Sequence, residues 1–587
     1  MSNLVSSHAN GVTKRQLLVL GLHAGTMILI MWNSVTILGA GGIDSFEIFL
    51  LICIFFGSIS LTVDLWTSII GLCIMVFGTP EKSIFPYFDA QGPLPELHST
   101  TALTVYMRNE EPGPIFDRLL AMHESLSQTG RLGNFRFVLL SDTTYPDVIR
   151  MEVEGFEKIK NNLSMGTYRT AFYRRRSNNI GFKAGNAFDY VENHSEGDEF
   201  FVPLDSDSTM SGDLLVRLVS SMEKNPRIGI IQTQFGSTPS ISGFNRIMYF
   251  FTRQIHNTGL SWWYKDRAIY WGHNATIRTR AFLEHCKLPF LKERPPLGGY
   301  VLSHDAIESK FMGRAGYEVW LLPVEIGSYE ANPPTLIDHL RREIRWCRGT
   351  IQYLALFKQP GLDFFDRVQI CQIISSYLGP AVWTVVTFAI IVKSAMAQSS
   401  GDIEYLNVYS QRLIIALTSF PRAVSIVYIA TKCVRSYGDG LRWVISCVLH
   451  FVFVAVVAPT ISIAITAQVF GSFIYSSFGW DGQNRDRLGL GWRDTFRTLW
   501  LQTLTGVGIA SGMLTQNGFG VVRVFVLASS LLLSVPAAVM TASPYVSRII
   551  LRMRLFTIPE ELAMPPVLSS VVSPEIHSLS LRKTKSQ

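Results

Sequence analysis

Phe200-Phe201-Val202-Pro203-Leu204-Asp205-Ser206-Asp207 is the stretch on which the reading of this chain turns. The apolar run makes a buried strand, and the two carboxylates after it stand at the strand's C-terminal end, where open α/β sheets bind ligands. Acidic groups at a spacing of two can share a hard divalent cation, Mg²⁺ or Mn²⁺, that also takes diphosphate oxygens. Pro203 is the discordant residue. It has no backbone N–H and is usually tolerated only at a sheet edge or strand end, so the boundary of this strand stays open.

Working outward, similar apolar runs lie at 102–106, 135–140 and 229–233, separated by helix-like stretches, so residues 80–367 read as βαβ units around a parallel sheet. The flanks differ. Residues 16–39 and 46–78 are each long enough to cross a hydrocarbon layer of about 30 Å, which takes roughly 20 apolar residues. Further apolar segments follow at 370–395, 412–431, 441–478, 498–514 and 524–545. With 587 residues, 48% of them hydrophobic and only 17% charged, the chain is too long for one domain and too apolar for an ordinary soluble enzyme. Its net charge of +7 is spread over span-flanking loops and one helix, without a nucleic-acid module. The seven cysteines include no Cys-x-x-Cys pair, so neither zinc nor a disulfide framework is expected.

Loop charges suggest a path through the bilayer. Lys14 and Arg15 precede the first span and its exit loop has no basic residue, which places the N-terminus and residues 80–367 in the cytoplasm. The 396–411 loop carries Asp402 and Glu404 and should lie outside. Arg442 on one side and Arg485 on the other put both ends of 441–478 inside, so a re-entrant pair broken at Pro459, or a tight hairpin, is expected there. This gives a membrane region at 1–79 with two helices, a catalytic domain at 80–367, a second membrane region at 368–547 and a disordered cytoplasmic tail at 548–587, with six to eight spans in all.

Polar groups gather at the ends of the apolar runs. Asp142 can hold a nucleotide base or ribose, or simply cap a turn. Asn109 and Glu110 sit at another strand-to-helix crossing, with a helix cap as the plain alternative. Lys183-Ala184-Gly185 sets a cation beside a glycine that admits a phosphate, although a solvated basic turn would look the same. Tyr270-Trp271-Gly272-His273-Asn274 suits stacking on and hydrogen bonding to a sugar through Trp271 and His273; a satisfied structural histidine is the alternative. Asp305 opens a helix and is either its cap or a base, which would need to lie within about 2.6 to 3.2 Å of an acceptor hydroxyl. Pro333-Pro334-Thr335 should start a helix that runs to about 357. Arg341, Arg345 and Arg348 share one face of it, and Arg342, Arg345 and Trp346 an adjoining one, offering guanidinium forks to a diphosphate and an indole to a sugar ring.

That set, between hydrophobic spans, suggests a membrane-bound glycosyltransferase, since a sugar nucleotide needs a metal clamp, a base for the acceptor and fixed cations for the departing charge. A transporter would more often show an internal repeat, and none is visible. A sugar-nucleotide sensor would not need Asp305.

The chain resembles the processive family 2 glycosyltransferases in the order Asp142, Asp205 with Asp207, Asp305, and Arg342 to Trp346. Within them it is most similar to the glucans biosynthesis glucosyltransferase H family, through Tyr173-Arg174-Arg175-Arg176, Tyr270-Trp271-Gly272-His273-Asn274, Glu284-His285-Cys286, Leu302-Ser303-His304-Asp305, Gly327-Ser328-Tyr329-Glu330 and Arg345-Trp346-Cys347. The resemblance implies a GT-A fold, UDP-glucose as donor, Mg²⁺ or Mn²⁺ on Asp205 and Asp207, and inversion with Asp305 as base. It further implies a β-1,2-linked backbone of osmoregulated periplasmic glucans, exported across a bacterial inner membrane, with acyl carrier protein and periplasmic glucan-processing proteins as possible partners. A cellulose-type or other β-glucan synthase is the alternative. Ser303-His304-Asp305 departs from the Thr-Glu-Asp of cellulose-type enzymes, and Arg342 from their Gln. Residues 479–497 stand where those enzymes carry a gating loop, so Gln483 and Arg485 are expected to touch the donor.

Overall fold

The computed structural model describes residues 13–39, 42–163, 171–195, 197–251, 255–396, 401–474, 488–513 and 520–576. Strands β1 (Thr101–Met107), β2 (Phe135–Ser141), β3 (Phe172–Arg175), β4 (Phe200–Asp205), β5 (Thr209–Met210), β6 (Ile228–Ser237), β7 (Ala275–Arg278) and β8 (Glu318–Glu330) form one sheet in the order β3-β2-β1-β4-β7-β6-β8-β5. From β3 to β4 it is parallel, as expected. Beyond β4 it is mixed, because β7 runs antiparallel to both β4 and β6, and β5 antiparallel to β8.

Pro203 sits in the centre of this sheet after all. The β4–β7 ladder stops at Phe201, one step before the proline would owe it a donor, and the Pro203 carbonyl on that side accepts from Asn274 N at 2.8 Å. The missing N–H therefore breaks nothing.

The alternation of a strand sorts its side chains between two cores. Leu103, Val105 and Met107 of β1 with Phe200, Val202 and Leu204 of β4 face one layer. Ala102, Tyr106 and Phe201 face the other, which also takes Val19, Val63, Phe365 and Ile370 from the long apolar helices. The first layer is closed from the far end of the chain by Leu551, Val567, Leu568, Val572 and Ile576, all nearly solvent-free. Residues 548–576 are thus packed, contrary to the expected disordered tail; 577–587 lie outside the described residues. Pro and Ser between these apolar residues obscure any period, so composition suggested disorder where burial holds the segment down. Glu561 secures it in a buried ion pair with Arg246, whose Nη2 also donates to the Leu555 carbonyl at 3.1 Å.

Helices used below are α1 (Lys14–Leu38), α2 (Ser45–Phe77), α3 (Phe182–Asn193), α4 (Ile255–Tyr264), α5 (Asp305–Arg314), α6 (Leu336–Ile351), α7 (Phe364–Met396), α8 (Gly401–Tyr428), α9 (Gly440–Ile474), α10 (Trp500–Met513), α11 (Gly520–Leu532) and α12 (Ser534–Ala542). Among the described residues five helices are long and apolar enough to cross a membrane, or six if the pair bent by 45° between α11 and α12 counts as one span. The chain is a membrane protein. Two expectations are corrected. Residues 401–411, expected as a loop, are helical, and 440–474 form one unbroken helix instead of a re-entrant pair. Pro459 deprives the Ala455 carbonyl of its helical donor, and the Ser530 hydroxyl of α11, whose one hydrogen is shared with the Val526 carbonyl at 2.8 Å, lies 3.2 Å from it; the helix continues.

The sheet is docked on α2 through its neighbour α4. A Cβ on Gly259 would come within 1.9 Å of the Thr67 carbonyl oxygen, and one on Gly71 within 2.1 Å of the Ile255 carbonyl oxygen. Only glycine at both positions permits this approach. Higher on α2, Gly57 admits the Trp383 indole of α7, whose Nε1 donates to the Gly57 carbonyl at 2.9 Å.

Candidate active site

The C-terminal ends of β1, β2 and β4 lie side by side, so the groups that follow them meet. Asn109, in left-handed conformation, accepts from the backbone N–H groups of Thr144 (2.8 Å) and Tyr145 (3.1 Å), tying the β1 end to the β2 end. Asp142 is buried, and its carboxylate takes two bonds from Arg176, at 2.8 and 2.6 Å. Arg176 belongs to the basic run after Tyr173, but nothing in sequence spacing linked it to Asp142.

Lys183, one residue into α3, reaches across to Asp205 in an ion pair and donates to the Gly272 carbonyl at 2.9 Å. Gly272, at φ +89°, stands against Asp305: a Cβ there would meet the Asp305 Cβ at 3.5 Å. Lys183 thereby joins the acidic loop after β4 to the start of α5. Asp205 is partly open, whereas Asp207 is 1% exposed with both carboxylate oxygens shielded from water. Among the described residues no three metal-ligating side chains cluster. Asp205 and Asp207 thus offer two carboxylates and no cage, which fits a Mg²⁺ or Mn²⁺ completed by diphosphate oxygens and water. Trp271 and His273 line the same turn around Phe235, with ring centroids 5.6 and 5.0 Å away, and His273 Nδ1 lies 3.3 Å from Asn274 Oδ1. His273 is 8% exposed, so it is fixed in the floor of the turn.

α6 begins where expected: the Thr335 hydroxyl accepts from Asp338 N at 3.2 Å as its cap. The helix breaks for one residue at Gln352 and resumes over Tyr353–Leu356, so the helical stretch reaches the expected end near 357. Its two candidate cations part company. Arg342 is buried, donating to Tyr249 Oη at 2.8 Å and Asn332 Oδ1 at 3.4 Å, with Glu330 at 3.8 Å, and it stacks over Trp346 at 4.7 Å. Burial works against its charge, but Tyr249, Glu330 and Glu343 outweigh that and leave its pKa raised. For Arg345 burial prevails and lowers the pKa, opposed by the charges of Asp205 and Glu110. Arg345 therefore shares the field of the acidic loop with Glu110, while Arg342 is taken up in a network beneath Trp346. Trp346 is 37% exposed and lies 6.3 Å from the Tyr377 ring of α7.

Asp305 is half-buried at the first position of α5. The turn that carries it is pinned to α6 and the residues just after it. Leu302 N donates to Gln352 Oε1 at 2.8 Å, Tyr353 Oη donates to the Ser303 carbonyl at 3.0 Å, and Gly349 leaves no room for a Cβ, which would fall 2.1 Å from Ser303 Oγ. Sequence reasoning missed Gly349, Tyr249 and Arg176, since each acts through a partner distant in the chain. Past Trp346, Arg348 donates to Gln468 of α9 at 3.1 Å, and a cavity of about 400 Å³ opens between Ile344, Arg348, Gln468, Ser472, Trp500 and Gln502. Gln483 and Arg485 lie outside the described residues.

The chain is similar to known glycosyltransferases. Residues 105–286 match the model described as glycosyl transferase family 2, and residues 200–475 the glycosyl transferase family group 2. The glucans biosynthesis glucosyltransferase H of Xylella fastidiosa (strain 9a5c) is 31% identical across 96% of this chain and 90% of its own length. That of Caulobacter vibrioides (strain NA1000 / CB15N) is 29% identical across 94% of this chain and 86% of its own. Among solved structures, a mannosyltransferase from Pyrobaculum calidifontis in complex with GDP-Man and Mn²⁺ aligns with a TM-score of 0.40 and 14% identity, covering 71% of this chain and 99% of that one.

Proposed function

Since the chain belongs to the glucans biosynthesis glucosyltransferase H family and is a hexosyltransferase, we propose that it moves glucose from UDP-glucose onto a growing β-1,2-linked glucan at the cytoplasmic face of a bacterial inner membrane. The observation that carries this reading is the run Asp205–Lys183–Gly272–Asp305, which sets a metal-type acidic loop and a base-type carboxylate on either side of one lysine.

In this reading Asp205 and Asp207 hold Mg²⁺ or Mn²⁺, which when bound neutralises the diphosphate and eases its departure. Asp305 accepts the proton of the acceptor hydroxyl as that oxygen bonds the glucose C1 and the C1–O bond to UDP breaks, with inversion at C1. Arg345 faces the charge gathering on UDP, with Glu110 and Lys183 shaping the field. Asp142 and Asn109 shape the nucleotide end, and Trp271 and His273 the sugar end. Trp346, seated by Arg342, offers its indole to the acceptor, and the cavity beyond it receives the product sugar on its way across the membrane. The test is incorporation of labelled glucose from UDP-glucose by the purified chain with Mg²⁺, followed by linkage analysis. Polymer rich in β-1,2 linkages that disappears in Asp305→Asn supports the proposal. A β-1,4 product, or UDP binding with no polymer, sinks it.

A further inference from the structure

His304 stands immediately before Asp305, as the cap residue of α5, and its Nδ1 lies 2.9 Å from Glu308 Oε2 one turn along. Both side chains are nearly buried, at 8% and 2% exposure. Glu308 has no other side-chain hydrogen bond among the described residues and belongs to neither the acidic loop nor the α6 cations. A buried carboxylate committed to one histidine is costly unless that histidine must be held in one orientation. Glu308 fixes the Nδ1 end, so the other ring nitrogen, Nε2, is presented away from it.

The turn that carries His304 borders the helix that is proposed to meet the acceptor. The Ser303-His304-Asp305 turn is clamped to α6 by Gly349 and by Tyr353, and α6 is the helix that carries Trp346. Burial lowers the pKa of His304, but Glu308, and then Asp305, more than offset it against the opposing charge of Lys183, leaving it raised. In the charged form Nδ1–H donates to Glu308 and Nε2–H is a donor for a sugar oxygen.

We propose that His304, oriented by Glu308, is a positioning residue for the acceptor: its Nε2 hydrogen-bonds a sugar oxygen beside the hydroxyl that Asp305 deprotonates, and so decides which hydroxyl attacks. The proposal rests on Asp305 being the base for a glucan acceptor. It makes His304 a determinant of linkage, a property that the metal and base motifs do not encode.

The experiment uses the full-length chain in detergent with UDP-glucose and Mg²⁺, and reads three quantities: glucose transferred to polymer, UDP-glucose hydrolysed by water, and linkage composition. In His304→Ala the ratio of transfer to hydrolysis should fall about 10- to 100-fold, the loss expected for one hydrogen bond to a charged donor. The residual polymer should contain mixed linkages. His304→Gln, which returns an N–H donor near the Nε2 position, should recover much of the ratio. Glu308→Gln should shift it in the same direction as His304→Ala but less, and it serves where the alanine variant fails to bind UDP. Transfer and hydrolysis falling in parallel, or unchanged linkage at an unchanged ratio, would overturn the role of His304. A wild-type chain that makes no polymer would instead overturn the reading of the chain as a glucan synthase.

Discussion

Two of the places where the sheet domain meets the long apolar helices have opposite character. At the back, α4 lies on α2 so closely that neither Gly71 nor Gly259 could carry a methyl group. At the front, α6 meets α7 and α9 through Trp346, Tyr377 and the Arg348–Gln468 bond, beside a cavity of about 400 Å³ that includes Ser472 and Gln502. The glycine crossing brings two helix backbones into direct contact and fixes position. A loosely filled interface with amide and hydroxyl groups can bind and release a hydrated sugar. The difference teaches that one seam is built for fixed position, while the other leaves the space that the proposed product path requires.

That division can be broken by substitution. The largest effect belongs to the front: Asp305→Asn should lower glucose transfer about 10²- to 10⁴-fold, the range for loss of a general base, with UDP affinity retained by equilibrium binding. Gly349→Ala comes next. It should push the Ser303 turn away from α6 and reduce turnover per folded molecule at least about tenfold, since small misplacements of a reacting group are costly, besides the about 1 to 3 kcal/mol of stability that overpacking removes. At the back the signature reverses. Gly259→Ala should destabilise the chain by about 1 to 3 kcal/mol, as overpacking does, and lower its midpoint of thermal unfolding, while turnover per folded molecule stays near wild type. If Gly259→Ala instead abolished turnover in fully folded protein, the two seams would not be separable. The smallest effect is Ser530→Ala, which leaves the Ala455 carbonyl without its substitute donor and should cost about 1 kcal/mol in the same unfolding measurement.

Much of the front was legible in the sequence because the chemistry is local there. Asp142, Asp205, Asp207 and Asp305 each follow an apolar run or open a helix, and the structure places them at strand ends and a helix start. Arg342 and Arg345 could not be told apart, since helical spacing gives a face and not a partner; the partners of Arg342 come from Tyr249, Glu330 and Asn332. β8 was missed because Pro323 and Gly327 interrupt its pattern. The back seam was illegible for a related reason: a glycine in an apolar helix shows no sign of what will lie against it.

The packed segment at 555–576 has a consequence for how the enzyme is made. Val567, Leu568, Val572 and Ile576 complete a core whose other walls are β1, β2 and β4, several hundred residues earlier. On a ribosome those walls emerge first, with the helices Pro112–Gln128 and Gly212–Lys224 that cover most of this face, and the last part of the core closes only after every membrane helix has been synthesised. Full closure of that core is thereby deferred to the end of translation. A nascent chain halted before residue 555 should be more protease-sensitive in its sheet domain than the full chain, even when its spans are inserted.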